Sequence, residues 1–418
     1  MHKPETLLIV GAGDRGRTYA SYAAKMPEQV KVVGVAEPLE ERRRMVADAH
    51  GLEAGWQFPG WKEAARRPRF ADAVIIATQD ALHEAPAVAF ARKGYHILLE
   101  KPMAPTPRAC RRIVAEVEKA GVLFGVCHVL RYTQYTRKLK EVLASGVIGD
   151  IVSVQHVEPV GYWHQAHSFV RGNWRNERAA TFMLMSKSCH DMDWLRYVIG
   201  VPCRRVSSFG SLHHFRAACR PAGAADRCLD CGVEAQCPYS AKRLYFGLLR
   251  KGVKGWPLHV VTHELTEEGL ARALREGPYG RCVYACDNDV VDHQVVSLEF
   301  EGGRSAVFTM TAFTHMGWGR YTRIFGTRGQ LDGDSSVITV YDFLKETKTE
   351  LDTRATDNTI LGGHGGGDGG IMWAFVNAVA NHDPSQIISG PRETLESHLM
   401  VFSAEKARRT GRVVTVPN

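Results

Sequence analysis

The chain lacks any apolar run near the ~20 residues needed to cross a bilayer. Its opening, MHKPETLLIVGAG, has no basic leader, no long apolar core and no small-residue cleavage site. A secretory or membrane-spanning reading has no support there, and a cytoplasmic location is expected. A long basic block is also missing: the net charge of +8, from 53 Lys and Arg against 45 Asp and Glu, is spread along the sequence. That argues against the concentrated stripe that tracks a nucleic-acid backbone. Neither nucleic acid nor membrane is an expected partner. The mild excess fits a solvated basic surface, or an anionic ligand such as a pyrophosphate or an acidic substrate. No internal repeat stands out. What remains is ordinary globular composition, 418 residues with 44% hydrophobic and 23% charged, enough for two or three domains.

The first third alternates short apolar runs with helix-like stretches. TLLIVGAG, VKVVGVAEP, ADAVIIATQ, YHILLEKP and VLFGVCHV read as strands. DRGRTYASYAAKM, LEERRRMVADAHG, ALHEAPAVAFARKG and PRACRRIVAEVEKAG read as the helices between them. This alternation predicts an α/β fold with a parallel, doubly wound sheet over residues 1–130. Beyond it, DIVSVQHVEPVGYW, HQVVSLEFEGGRSAVFTMTAF and YTRIFGTRGQLDGDSSVITVYDF read as longer alternating strands with Gly-containing turns. They predict a C-terminal α+β domain, 131–418, with an open mixed or antiparallel sheet. Residues 203–290, irregular and rich in Cys, Arg and Gly, read as an insertion within it.

Gly11, Gly13 and Gly16 fit G-x-G-x-x-G. The spacing supplies a tight turn after a strand, close approach to a pyrophosphate, and tight helix–strand packing. Glycines also make plain turns, so the context matters. Here the loop follows a strand, opens a helix, and is followed by Glu37 at the end of the next strand. A carboxylate there accepts from both ribose hydroxyls and repels a 2′-phosphate. NAD is therefore expected over NADP. Arg42, Arg43 and Arg44, one turn on, are the reservation, because one of them could meet a 2′-phosphate.

The segment VIIATQDALHEAPAVAFARKGYHILLEKPMA adds Thr78 at a strand end, His83 one turn later, and Glu100-Lys101-Pro102 closing the next strand. With Gly11–Gly16 and Glu37, these pieces resemble the Gfo/Idh/MocA family of oxidoreductases. SCHDMDWLRYVIG, carrying His190 and Asp193, is similar to the family's H-x-x-D before a helix. RIFGTRGQLDGD is similar to its second-domain strand and turn. The resemblance spans nearly the whole chain. It implies a Rossmann domain, a second domain whose open sheet forms a homo-oligomer contact (dimer or tetramer), and hydride transfer between a nicotinamide and a sugar or cyclic polyol carbon. It places Gly11, Gly13, Asp14, Arg15, Gly16, Glu37, Thr78, Gln79, His83, Glu100, Lys101 and Pro102 around the cofactor. It sets Lys101 beside the reacting hydroxyl, with Pro102 in a turn that aims it.

Oxidising an alcohol needs a base for the hydroxyl proton while hydride leaves carbon. His190 is the expected base, since an unperturbed imidazole is largely neutral at neutral pH. Lys101 would polarise the oxygen or relay the proton. Many dehydrogenases of the family carry an acid four residues before this histidine; here that position is Ser186, followed by Lys187. This weakens a simple Lys–Asp–His relay. Lys187 could replace the missing role, bind an anion, or simply be solvated.

Further substrate candidates are Arg131, Tyr132, Asp193 and the segment GYWHQAHSFVRGNWRNE. That segment crowds Trp163, His164, His167, Arg171, Trp174 and Arg175 together. Tryptophan faces stack on sugar rings and Arg forks bind anions; the alternative is a loop anchored by its tryptophans. GGHGGGDGG places His364 on a loop that could approach a ligand, while Asp368 could cap the following helix. Cys219, Cys228, Cys231 and Cys237 run C-x8-C-x2-C-x5-C, four soft ligands within reach of one tetrahedral zinc. An iron–sulfur cluster, or free or paired thiols, are alternatives, and Cys282 and Cys286 could compete.

The leading expectation is an NAD-dependent oxidoreductase acting on a ring hydroxyl of a sugar, sugar acid or cyclic polyol. The alternative is an NAD-dependent glycosidase, which oxidises, eliminates, hydrates and reduces again, on a glycoside that could be anionic. A non-enzymatic NAD-binding sensor is disfavoured by intact Lys101 and His190.

Overall fold

The computed structural model describes residues 3–315, 319–354, 357 and 359–417. Its first sheet grows from near-continuous apolar runs, as strands covered on both faces require. The strands are β1 (Glu5–Val10), β2 (Val30–Ala36), β3 (Gln57–Phe58), β4 (Ala73–Ile76), β5 (His96–Leu99) and β6 (Phe124–Val126). All pairs are parallel, in the order β3-β2-β1-β4-β5-β6. The order reverses between β1 and β4, and the carboxyl ends of those two strands therefore flank the crevice where such sheets bind ligands. Local chemistry sets the intervening helices. Pro107–Ala120, for example, starts with Thr106 accepting from Ala109 N and Pro107 in its first turn, and stops at Gly121 with φ +64°.

The second sheet has nine strands. They are β7 (Ile151–Pro159), β8 (Cys203–Ser211), β9 (His293–Phe300), β10 (Ser305–Thr311), β11 (Tyr321–Gly326), β12 (Gly329–Gly333), β13 (Val337–Asp342), β14 (Thr347–Asp352) and β15 (Val414–Thr415), in the order β14-β13-β12-β11-β7-β10-β9-β8-β15. β7 and β10 are parallel and the other pairs antiparallel. Alternation decides the faces. Val154, Val206, Val296, Phe308 and Ile324 point to the core, where Met192, Leu195, Leu399 and Met400 of two helices cover them. Val152, Phe209, Val307 and Tyr321 stand exposed on the other face.

The sequence places the insertion at 203–290, but its first nine residues are β8. Outward Arg204 and Arg205 make that strand look irregular, while Val206 and Ser208 are buried. The segment between β8 and β9 carries helices Ala241–Arg250, Leu258–Val261 and Glu267–Glu276 around a small core of Ala241, Tyr245, Leu258, Leu270 and Leu274. Late in the chain, helix Gly367–Asn381 returns to the first sheet, packing Ile371, Met372 and Phe375 with Tyr19, Ala20 and Ile9. That return carries His364 and Asp368 back to the first crevice.

Candidate active site

The crevice floor begins at the glycine loop. Gly11 has φ +90°, and a Cβ there would lie 2.5 Å from Ala77 O. A Cβ on Gly16 would lie 1.8 Å from Gly11 O, so only glycine lets helix Asp14–Lys25 seat on the loop. Gly13 has nothing within 4 Å of its Cβ position and receives no side-chain cap bond. The first N–H groups of the helix are thus left without a side-chain acceptor beside open space, the donor set that suits a pyrophosphate. Glu37 is buried at the loop's rim, its Oε2 accepting from Ala12 N at 2.7 Å and its Oε1 from Leu39 N at 3.0 Å. Arg43 donates to Glu37 O at 2.6 Å, and Arg44 pairs with Glu40. Both are engaged by the strand end and helix on which they sit.

Next to the loop, Glu100 accepts from Arg15 Nε at 2.8 Å, Tyr19 OH at 2.7 Å and Lys101 N at 2.7 Å. Burial alone would raise its carboxyl, but Arg15 and Lys101 outweigh this and hold it below the usual range. Arg15 also pairs with Asp368 at 2.6 Å, and Asp368 meets His364 Nδ1 at 2.7 Å. Of the two roles open to Asp368, a cap and a polar group on the loop, the cap is not formed: it lies inside the first helical turn and makes these two contacts. His83 is buried between Pro102 O (2.8 Å) and Thr78 O (3.1 Å). Arg15, Glu100 and His83, assigned by resemblance to the cofactor, are here committed to protein partners that fix the turn carrying Lys101. The Lys101–Pro102 bond is cis. Lys101 Nζ donates to Ser186 O at 3.0 Å. Ser186, four residues before His190, thus meets Lys101 through its backbone carbonyl. Asp80, beside Gln79, is buried with Oδ2 unpartnered; burial raises its carboxyl above the usual range against the pull of His83 and Lys101.

The opposite wall comes from the second domain. His190 sits in the first turn of helix Cys189–Ile199, half-buried, with Nδ1 sealed from solvent and unpartnered. Loss of water comes first, then the charges of Lys101, His128, Arg320 and His364; together they hold its imidazole well below the ordinary histidine range. The His128 ring, fully buried, lies 5.7 Å away edge-on. Lys187 is not solvated: it pairs with Glu158 Oε1 at 3.0 Å. Arg320 pairs with Glu158 Oε2 at 2.9 Å and Asp191 Oδ1 at 2.7 Å, and Asp191 meets His156 Nε2 at 3.2 Å. Sequence reasoning missed Glu158, Arg320 and His128. A charged residue among the apolar positions of HVEPVG was the available signal for Glu158.

Aromatic rings close the outer end. Trp163 and His164 lie 5.3 and 5.0 Å from Trp256, and His167 lies 5.3 Å from it. Three residues beyond Trp256, His259 Nε2 comes to 3.4 Å of Asp14 Oδ1. The insertion therefore reaches across to the helix that follows the glycine loop. Trp256 and His259 carried no motif in the sequence.

Several expected substrate residues are used elsewhere. Arg131 and Asp193 form a buried two-pronged pair, 2.7 Å on each arm, and Arg131 also donates to Ile388 O. Tyr132 OH bonds Ser389 Oγ at 2.9 Å. Arg175 pairs with Asp287 at 2.8 Å, Trp174 packs on Phe169, and Arg171 is buried inside the insertion. The anticipated zinc set is not assembled either. Cys219 turns its thiol to His213 O at 3.5 Å, while Cys228, Cys231 and Cys237 line a cavity shared with Cys282. Among the described residues, no group of three or more His, Cys, Asp or Glu side chains is gathered as a metal ion would hold it.

Residues 6–128 match the model of an oxidoreductase family with an NAD-binding Rossmann fold, and residues 140–416 match that family's C-terminal alpha/beta domain. The chain belongs to the Gfo/Idh/MocA oxidoreductase family. Among curated relatives it is 30% identical over 218 residues to inositol 2-dehydrogenase 1 of Saccharopolyspora erythraea, covering 51% of this chain and 59% of that protein. It is 28% identical over 145 residues to the 2,7-anhydro-N-acetylneuraminate hydratase of Escherichia coli (strain K12), covering 34% of this chain and 37% of that protein. These alignments span less than two thirds of either relative. Among solved structures, levoglucosan dehydrogenase in complex with NADH and levoglucosan superposes with a TM-score of 0.71 at 18% identity, over 99% of this chain and all of that one. The likeness establishes the shared fold.

Proposed function

We propose that the chain catalyses NAD-dependent hydride transfer at a ring hydroxyl carbon of a sugar, sugar acid or cyclic polyol. The observation that carries this reading is the meeting of Lys101 and His190 in one crevice beside the open glycine loop. A bound nicotinamide would supply the hydride acceptor. Gly13 leaves open space where its pyrophosphate would lie, Gly11 and Gly16 let the loop and helix pack behind it, and Glu37 would take the ribose hydroxyls. Lys101, held by Ser186 O, polarises the substrate oxygen. His190 takes the hydroxyl proton at Nε2. Its depressed pKa keeps it neutral, and so able to accept, well below pH 6.5. Trp163, His164 and Trp256 present ring faces to the substrate. The test is NADH formation from NAD and a panel of free sugars, sugar acids and cyclitols. NADH equimolar with product supports the reading.

A second reading is redox-neutral elimination on a glycoside. Ser186 in place of the acid and the Lys187–Glu158 pair favour it, as does a relative named as an anhydro-sugar hydratase. It would turn over with trace NAD and leave solvent deuterium on the sugar. The exposed sheet face bearing Val152, Phe209, Val307 and Tyr321 is the surface on which a dimer or tetramer would form, and the cytoplasm is the expected compartment. Light scattering of the purified protein measures the assembly.

A further inference from the structure

Among the described residues, Arg171 is the largest of the fully buried side chains, 1% exposed. Its Nε donates to Arg281 O at 2.7 Å and its Nη2 to Tyr239 O at 2.8 Å, with Cys228 Sγ 3.5 Å from Nη2. Its Nη1 is buried and has no partner. Buried Arg131 is matched by Asp193, and half-buried Arg320 by Glu158 and Asp191. Among the described residues, Arg171 has no carboxylate within ion-pair distance. A guanidinium is always charged, and burying it without an anion is costly.

The cavity it faces holds four thiols and one carboxylate, Glu234, which is engaged by Lys242 and Ser240. Arg171 lines a cavity of about 240 Å3 together with Cys228, Cys231, Cys237 and Cys282. Two chain segments meet to build it. Arg227 pairs with Arg281 in an isolated bridge, and Cys282 N donates to Asp226 O at 2.8 Å, setting Cys282 beside Cys228 although 54 residues separate them. Cys219 and Cys286 are turned away, to His213 O and Cys282 O. Neutral thiols cannot balance Arg171, but thiolates can.

We propose that Cys228, Cys231, Cys237 and Cys282 bind one zinc ion, with Arg171 as the outer counter-charge. Four thiols and Zn²⁺ give a tetrathiolate of charge −2 and release four protons, so the site supplies the anion the guanidinium lacks. The thiols border one cavity without being gathered to a point, and a cation entering it would draw them in. The site would staple the segment that carries Trp256 and His259 over the crevice. It takes no part in hydride transfer and stands independently of the function proposed above.

Metal content of the purified full chain tests this, followed by cobalt(II) titration of the metal-stripped chain. One zinc per chain is expected in the wild type and in Cys219→Ser and Cys286→Ser, and less than half that in Cys228→Ser and Cys282→Ser. Arg171→Met should keep the site but weaken zinc binding about tenfold or more, as outer partners of metal ligands do. Cobalt should give the intense visible and near-ultraviolet bands of a tetrahedral tetrathiolate, a readout on the wild type that no folding failure of a variant can obscure. A chain without zinc and without those bands overturns the proposal. So does zinc that survives Cys282→Ser but is lost in Cys219→Ser, or iron with sulfide-to-iron absorption in place of zinc.

Discussion

The two sides of the crevice are built by opposite means. The glycine-loop side, drawn from residues 7–102, takes its shape first from backbone, from where a Cβ cannot fit, and its side chains Glu37, Glu100 and His83 brace that backbone. The far wall is mostly side chains, brought from Glu158, His164, Lys187, His190, Trp256, Arg320 and His364, and its shape follows from which charges find partners. A backbone site tolerates change poorly at a few positions. A side-chain site spreads its cost over a network.

Substitutions should separate the two sides. The largest effect is expected at their meeting point: His190→Asn should lower turnover by about 10² to 10⁴ while leaving NADH binding, read by fluorescence, unchanged. Equal losses in both would make His190 a structural residue. Because its pKa is depressed, wild-type oxidation should show no loss attributable to this base as pH falls through 6.5, where an unperturbed histidine would lose activity.

Acid should break the far wall first. His128 and His167 are held to about 3, and His398, which sits on helix Pro391–Thr410 and accepts from Met103 N at 2.9 Å, to about 4, burial being the main cause in each. Between those values and 6.5 the unfolded chain binds protons that the folded chain does not. Their contribution to stability is therefore full above pH 6.5 and is lost as pH falls, on the order of 1–2 kcal/mol per histidine by pH 5. Hydrogen exchange should show protection lost around Tyr162–Arg171 and Pro391–Thr410 before it is lost in β1 and β4. Uniform loss would contradict the contrast.

Smaller effects follow. Glu37→Ala should weaken NAD by about 10-fold or more and NADP much less, read as the ratio of dissociation constants. An equal loss would remove Glu37 from ribose recognition. Trp256→Ala should raise KM by about two- to tenfold with little change in kcat, the scale of one lost aromatic contact.

The same contrast explains what the sequence could disclose. The loop side was legible because its constraints are local: three glycines, an acid at the next strand end, and Glu100-Lys101-Pro102 closing another. The doubly wound sheet followed from apolar runs alone. The far wall was legible only in part. His190 and Lys187 were visible, but Glu158 lies 29 residues before Lys187 and Arg320 lies 129 beyond Asp191, so no spacing announced their pairing. Arg131 and Asp193 looked like free polar groups because their partnership also spans 62 residues. Counting cysteines along the chain selected Cys219, whereas folding brings Cys282 to the cavity. The two roles open to Asp368 could not be separated because its partner, Arg15, lies at the other end of the chain.

The measurement that tests the central claim most directly is NADH formation at 340 nm by the wild type and Lys101→Ala, with NAD and the sugar, sugar-acid and cyclitol panel, at matched NADH binding. The account predicts NADH equimolar with oxidised product in the wild type, and a rate at least ~10²-fold lower in Lys101→Ala. Undiminished NADH formation by Lys101→Ala, or product released by the wild type with no net NADH, would contradict it.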